Sequence, residues 1–255
     1  MWRAVVINPN TSPTMTGDIA ATAKKVFQPP WSLQTVNAPS GPESLESWRD
    51  YHLAAVAVLP LIEQHRDADG FVLACFGDPG LYALKEVSSV PVVGIAEAAI
   101  SLSLLLGGRF GIVAGMTRSI QLMDSMVRQY GVESRYAGTS ALNLRVLSLE
   151  EDRAQTIGAL ERAGRELAAR GADVLLLGCA GLTDFVDEVR ERIPVTIIDP
   201  VAAGCYALKM IIEAGQQVSH SGIYTRPAPQ RMQNLEHVFS PFMVSMLKTW
   251  ETDGA

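Results

Sequence analysis

Cys75 and Cys179 sit in matching contexts, and a thiol is among the few side chains that can both take up and give back a proton near neutral pH. Cys75 closes the apolar run Phe71-Val72-Leu73-Ala74 and precedes Phe76-Gly77, while Cys179 closes Val174-Leu175-Leu176-Leu177-Gly178 and precedes Ala180-Gly181. Each reads as the last residue of a buried strand that turns through glycine into a helix. Further landmarks repeat in step. Val90-Pro91-Val92 and Ile95-Ala96-Glu97-Ala98 answer to Ile193-Pro194-Val195 and Ile198-Asp199-Pro200-Val201-Ala202. The cysteines lie 104 residues apart and the prolines 103, and Thr11-Ser12-Pro13 is mirrored by Thr117-Arg118-Ser119 at an offset of 106. A duplicated half with a thiol at the same place in each copy suggests two thiols facing one substrate from opposite sides. That arrangement suits removal of a proton from one face of a carbon and its delivery to the other.

The chemistry expected of the neighbouring residues follows from their types. A helix N-terminus just beyond each cysteine would lower its thiol below the usual value of about 8.5. The amides of Phe76-Gly77 and Ala180-Gly181 could hold negative charge developing on a carbonyl oxygen. A single cysteine at a strand end would instead be read as a small buried hydrophobe, and two at equivalent positions favour function. Cys205, inside the helical pattern Gly204-Cys205-Tyr206-Ala207-Leu208 and without a counterpart, reads as core. Asn10 and Thr11 follow the first strand, on the side of a parallel sheet where ligands bind. They could donate hydrogen bonds to a substrate, or act only as turn and cap residues. Thr117 carries the same two readings. Asp78 could orient a polar group or cap a helix over 79–87, and Glu97 could reach the site or merely open a helix. His52, His65, His220 and His237 show no metal-ligand spacing, and no phosphate-binding glycine loop follows a strand, so no metal and no nucleotide cofactor is expected.

These residues require a scaffold of alternating strands and helices, the signature of parallel βαβ units. Strands are expected over 4–8, 32–36, 71–75 and 91–93, with helices over 13–27, 44–66, 79–87 and 96–106. The longest of these helices is expected to present Leu53, Val56 and Leu59, with a kink or break at Pro60. The second copy has strands at 109–114, 173–178 and 194–198, and helices over 119–130, 150–170, 182–191 and 200–214. The tail reads as irregular before a short helix near 239–250. The two lobes are expected to comprise residues 1–97 with 215–255, and residues 98–214.

Composition sets the outer limits. With 255 residues, 48% of them hydrophobic and 19% charged, the chain can bury a sizeable core. A formal charge of −6 argues against nucleic acid as a partner. No apolar run approaches the roughly 20 residues of a membrane span, no secretory signal is apparent, and three cysteines without metal-like spacing read as reduced thiols of a cytosolic protein. Self-association into a homo-oligomer is expected of such an enzyme.

Beyond these patterns the chain resembles the hydantoin racemases of the aspartate/glutamate racemase superfamily, along with the allantoin racemases that share their motifs. The likeness rests on Val6-Ile7-Asn8-Pro9-Asn10-Thr11 with Met15-Thr16, on Ala74-Cys75-Phe76-Gly77-Asp78-Pro79-Gly80-Leu81, and on Pro91-Val92-Val93-Gly94-Ile95-Ala96-Glu97-Ala98-Ala99. It continues through Leu177-Gly178-Cys179-Ala180-Gly181-Leu182 and Ile197-Ile198-Asp199-Pro200-Val201. In order along the chain it spans residue 4 to about 214. The resemblance implies a two-lobed α/β fold with mostly parallel sheets, an active site between pseudo-symmetric lobes, and no metal or other cofactor. It also implies that Cys75 and Cys179 are the acid and base. Asn10, Thr11, Gly41, Thr117, Phe76, Gly77, Ala180 and Gly181 would then line the pocket of a small 5-substituted hydantoin or allantoin. Leu182 stands where such relatives often carry Met, a volume-conserving swap. Other chemistry of the superfamily, such as arylmalonate decarboxylation, maleate isomerisation or amino-acid racemisation, stays open at this point, as does a binding protein without turnover.

Overall fold

The chain builds the same parallel sheet twice. In the computed structural model, which describes residues 1–149 and 151–228 together with 233, 234, 241 and 244, the first sheet joins β1 (Arg3–Asn8), β2 (Ser32–Asn37), β3 (Gly70–Leu73) and β4 (Val92–Gly94) in the order β2-β1-β3-β4. The second joins β5 (Phe110–Ala114), β6 (Tyr136–Ala141), β7 (Val174–Leu177) and β8 (Thr196–Ile198) in the equivalent order β6-β5-β7-β8. Every ladder is parallel. The central strands β3, β5 and β7 are buried along their whole length, which is why each reads as an unbroken apolar run rather than an alternating one.

Alternation along these strands divides the interior into three layers of core. Ala4 and Val6 of β1, Val72 of β3, Phe110 and Ile112 of β5, and Val174 and Leu176 of β7 all point into one central core shared by the two sheets. Val5, Ile7, Phe71 and Leu73 point outward from the first sheet, under α2 (Trp48–Gln64) and α3 (Leu81–Val87). Leu175 and Leu177 point outward from the second, under α6 (Arg153–Ala169) and α7 (Val186–Val189). The central core is completed by α1 (Pro13–Val26), α4 (Ile95–Leu106), α5 (Ile120–Gln129) and α8 (Pro200–Glu213). Packing crosses the sequence boundary expected between the lobes. Helix α8 follows the second sheet yet packs on β3 and β4 of the first, and α4 follows the first sheet yet reaches β7 of the second. Gly204 permits this crossing, since a Cβ there would stand 2.8 Å from Ile95 Cγ2. Cys205 is fully buried in the central core.

Several elements differ from the sequence reading. Strand β6 lies between α5 and α6, where no strand was expected; its sequence Tyr-Ala-Gly-Thr-Ser-Ala has no apolar run to reveal it. Helix α2 starts at Trp48, capped by Ser47, and continues through Pro60 without a break. It buries Ala54, Ala57, Val58 and Leu61, while Leu53 is exposed. Helix α3 begins at Leu81 rather than 79, and the segment after Cys179 is a tight 3-10 turn, Ala180–Phe185, leading into the short α7. Helix α6 starts at Arg153, where Asp152 caps it by accepting from the Gln155 amide at 2.9 Å. The helix expected near 239–250 and most of 215–255 lie outside the described residues. Among the described residues no helix is long and apolar enough to cross a membrane.

Asp78 ties the lobes together. It is buried with φ +48°, and its carboxylate accepts from the amides of Ala96 at 3.0 Å and Glu97 at 2.8 Å and from the Tyr130 hydroxyl at 2.6 Å. It therefore caps α4, not the helix that follows it, and its third bond reaches Tyr130, the residue that closes α5 in the other lobe. Burial pushes the carboxyl up to about 7, against the pull of the Tyr130 hydroxyl and the two amides. Gly94 leaves room for it, because a Cβ there would lie 2.3 Å from the Asp78 carboxyl carbon. Removing this acceptor strands three donors, each costing about 1–3 kcal/mol if left unpaired. Asp78→Ala should therefore lower the unfolding free energy by roughly 3 kcal/mol after partial rescue by water. Urea denaturation checks this, and an unchanged midpoint would contradict the strap.

Candidate active site

The chain ends of β1, β3, β5 and β7 open into one cleft between the sheets. The cleft is narrow, with about 40 Å³ of free space between its walls. Cys75 lies just beyond β3, and Cys179 just beyond β7; both line this cleft, together with Asn10 after β1 and Gly115 and Met116 after β5. The identical strand order of the two sheets is what turns a sequence repeat into a pair of thiols around one space.

The two thiols are held differently. After Cys179 the chain enters the 3-10 turn at once, so the amides of Gly181 and Leu182 point back at the sulfur and favour its anion. Burial outweighs them, and the Cys179 thiol is pushed up to about 11, with the Glu46 carboxylate adding to the rise. After Cys75 the chain instead passes through Gly77 (φ +115°), Asp78 and Gly80 (φ +78°) before α3 begins, so no helix N-terminus adjoins this sulfur. Its polar neighbours are the Phe76 carbonyl oxygen and the Tyr51 hydroxyl, each 3.9 Å from Cys75 Sγ, and that hydroxyl donates to the same carbonyl at 2.6 Å. Burial drives the Cys75 thiol far above its ordinary range; charge on Cys179 pushes the same way, and the Tyr51 hydroxyl pulls against both. The expectation that helix termini would lower both thiols is thus overturned, because desolvation exceeds what two amides or one phenol return. Charge on Cys179 thus disfavours a second thiolate at Cys75.

The remaining expected site residues divide. Asn10, Phe76 and Ala180 line the cleft. Asn10 is buried; its Oδ1 accepts from the Asn8 side chain and the Ser12 amide, while its Nδ2 meets only the Met15 sulfur, at 3.2 Å. A thioether is a weak acceptor, so that N–H is available to a ligand. Gly77 stands behind the wall, where its missing Cβ makes room for Tyr51, whose Cε1 would be 2.5 Å away. Gly181 contributes its amide to Cys179. Thr11 does not line the cleft. Its amide and hydroxyl both bond the Pro42 carbonyl, pinning the loop that carries exposed Gly41. Thr117 is exposed and gives its hydroxyl to Asn143 Oδ1 at 2.6 Å. Glu97 pairs with Lys85 and accepts from the Gly94 amide, away from the cleft. Sequence reasoning missed Tyr51, Met15, Ser119 and Val146, all of which line the cleft, as do Leu45 and Glu46 of the segment 40–47 that departs most from the family's pattern. Among the described residues no group of three His, Cys, Asp or Glu side chains gathers that could hold a metal ion.

Comparison with known proteins agrees with this geometry. The family model for Asp/Glu/Hydantoin racemase matches residues 5–208. The hydantoin racemase of Paenarthrobacter aurescens is 34% identical over 233 residues, covering 90% of this chain and 99% of that protein. The hydantoin racemase of Pseudomonas sp. (strain NS671) is 35% identical over 225 residues, covering 87% and 90%. The structure of allantoin racemase from Klebsiella pneumoniae superposes with a TM-score of 0.87 at 33% identity, covering 95% of this chain and all of that one.

The raised thiols predict a distinct reactivity toward iodoacetamide, followed residue by residue by mass spectrometry. Alkylation of Cys179 should still climb about tenfold per pH unit at pH 9.5, because only the thiolate reacts, and should outpace Cys75 throughout. Levelling off near pH 8.5 would show an ordinary thiol. Tyr51→Phe should slow Cys75 about fivefold, the worth of one modest hydrogen bond, and leave Cys179 unchanged.

Proposed function

The chain belongs to the Asp/Glu/hydantoin racemase family, and from that premise we propose that it is a cofactor-independent racemase of 5-substituted hydantoins, including allantoin, with Cys75 and Cys179 as paired acid and base. The observation that carries this reading is that the two thiols, at equivalent ends of β3 and β7, line a single cleft.

In the proposed reaction the ring lies between the sulfurs with its C5–H aimed at one of them. The thiolate removes that proton, and the electron pair left on C5 moves into the adjacent carbonyl, placing negative charge on oxygen. The Asn10 amide and the Ser119 hydroxyl, both in the cleft wall, are the donors available to that oxygen. The opposite thiol then protonates C5 from the other face and becomes the thiolate. Reversal exchanges the roles. The dry surroundings that raise the thiols also make each thiolate, once formed, a stronger base toward a weakly acidic carbon.

Self-association belongs to the same reading. Leu105 on α4 is 83% exposed and Met210 on the adjoining α8 is 65% exposed, leaving an apolar face for a second copy. The three unpaired cysteines suit a reducing cytosol.

Incubating the protein in D₂O with single enantiomers of 5-benzylhydantoin and of allantoin, with optical rotation and mass followed together, tests the proposal. Loss of rotation with one deuterium gained at the stereocentre is the expected result, and the faster substrate identifies the preferred ureide. Rotation retained without deuterium in both compounds would overturn the reading.

A further inference from the structure

Among the described residues one charged side chain faces the cleft. Glu46 lines it beside Cys179, and no described Arg, Lys or His joins the lining. The position of Glu46 is fixed from several sides. Its amide donates to the buried Asp50 at 3.2 Å, and the next residue, Ser47, caps α2. Its Oε1 accepts from Ser44 Oγ at 3.1 Å and, across the lobe boundary, from the Val146 amide at 3.3 Å. Both side-chain bonds use Oε1, so Oε2 has no hydrogen-bond partner among the described residues. No cation pairs with the carboxylate there either; Arg49, the basic residue nearest in sequence, is committed to Asp50. The titratable groups facing Glu46 across the cleft are Cys75, Cys179 and Tyr51.

A half-buried carboxylate with a free oxygen and no counter-ion favours a ligand that offers N–H groups and opposes one that brings a second negative charge. We propose that Glu46 is a specificity-determining residue that selects neutral substrates, by accepting a ligand N–H at Oε2, and rejects substrates whose substituent is a carboxylate. This deepens the racemase reading and rests on it. It assigns to the substrate a polar edge with N–H groups, as a ureide ring or a carbamoyl substituent provides, turned toward Glu46 and the second lobe.

Two hydantoins of nearly equal shape test the assignment: one with a carbamoylmethyl group at C5, neutral, and one with a carboxymethyl group, anionic. The wild-type enzyme should prefer the neutral compound in kcat/KM. Glu46→Gln keeps an acceptor for the Val146 amide but removes the charge, and should shrink that preference about 30-fold, the factor for two unit charges about 8 Å apart at an effective dielectric constant of about 20. Glu46→Asp keeps the charge and should keep the preference, which a merely structural strap would not require. A ratio that moves less than threefold in Glu46→Gln would overturn the assignment. If neither compound is racemised by the wild type, the racemase reading fails, and Glu46 is then judged without turnover by protection of Cys179 from iodoacetamide. There the neutral compound should protect at lower concentration than the anionic one in the wild type and equally in Glu46→Gln; equal protection in the wild type would overturn the assignment.

Discussion

The crossing of α4 and α8 through a core common to both sheets is the constraint on which the site depends. Each helix follows one sheet in the chain and packs against the other. Their close approach at Gly204 and Ile95 leaves no room for a side chain at the crossing. Because Val72 and Val174 face the same central core, the strands that carry the two thiols are packed as one body. The cleft is therefore not a hinge between independent domains. Its width is set by side-chain volumes in a close-packed interior and by the Asp78–Tyr130 bond across its side.

That rigidity has an electrostatic counterpart. Bringing two thiols into one dry space raises both, and the supports around them differ: backbone amides from a tight turn for Cys179, a phenol for Cys75. The pair is pseudo-symmetric in fold and asymmetric in chemistry. Cys179 is raised less than Cys75 and is the easier of the two to ionise. Glu46 lines the same cleft from the first lobe, and its charge opposes ionisation of Cys179.

Much of this was legible in the residues. The buried central strands announce themselves as apolar runs, and the matched Cys-Gly ends and the proline landmarks carry the repeat. Edge strand β6 was not legible: it is half-buried, contains Gly138 at φ +117°, and pairs with β5 through an irregular register. Tyr51 was invisible for another reason. Its role depends on contacts with Phe76 and Cys75, 25 and 24 residues away, and it lies in a local pattern that does not differ from an ordinary helix start. Asp78 was visible as a cap, but its helix was misassigned, because Gly77 and Gly80 bend the chain so that its carboxylate meets α4 instead of α3. Thr117 shows the limit of repeat reasoning: it holds the same place as Thr11 in sequence, yet an asparagine on the neighbouring loop takes its hydroxyl.

The central claim is that the two sulfurs address opposite faces of one carbon, and single-thiol variants test it most directly. Cys75→Ser and Cys179→Ser would each be given separate enantiomers of the preferred ureide in D₂O, with deuterium uptake and rotation recorded over time. The account predicts that neither variant racemises, and that each exchanges the C–H of one enantiomer only, the two variants choosing opposite enantiomers. Exchange of the same enantiomer by both variants, or full racemisation by either, would contradict it.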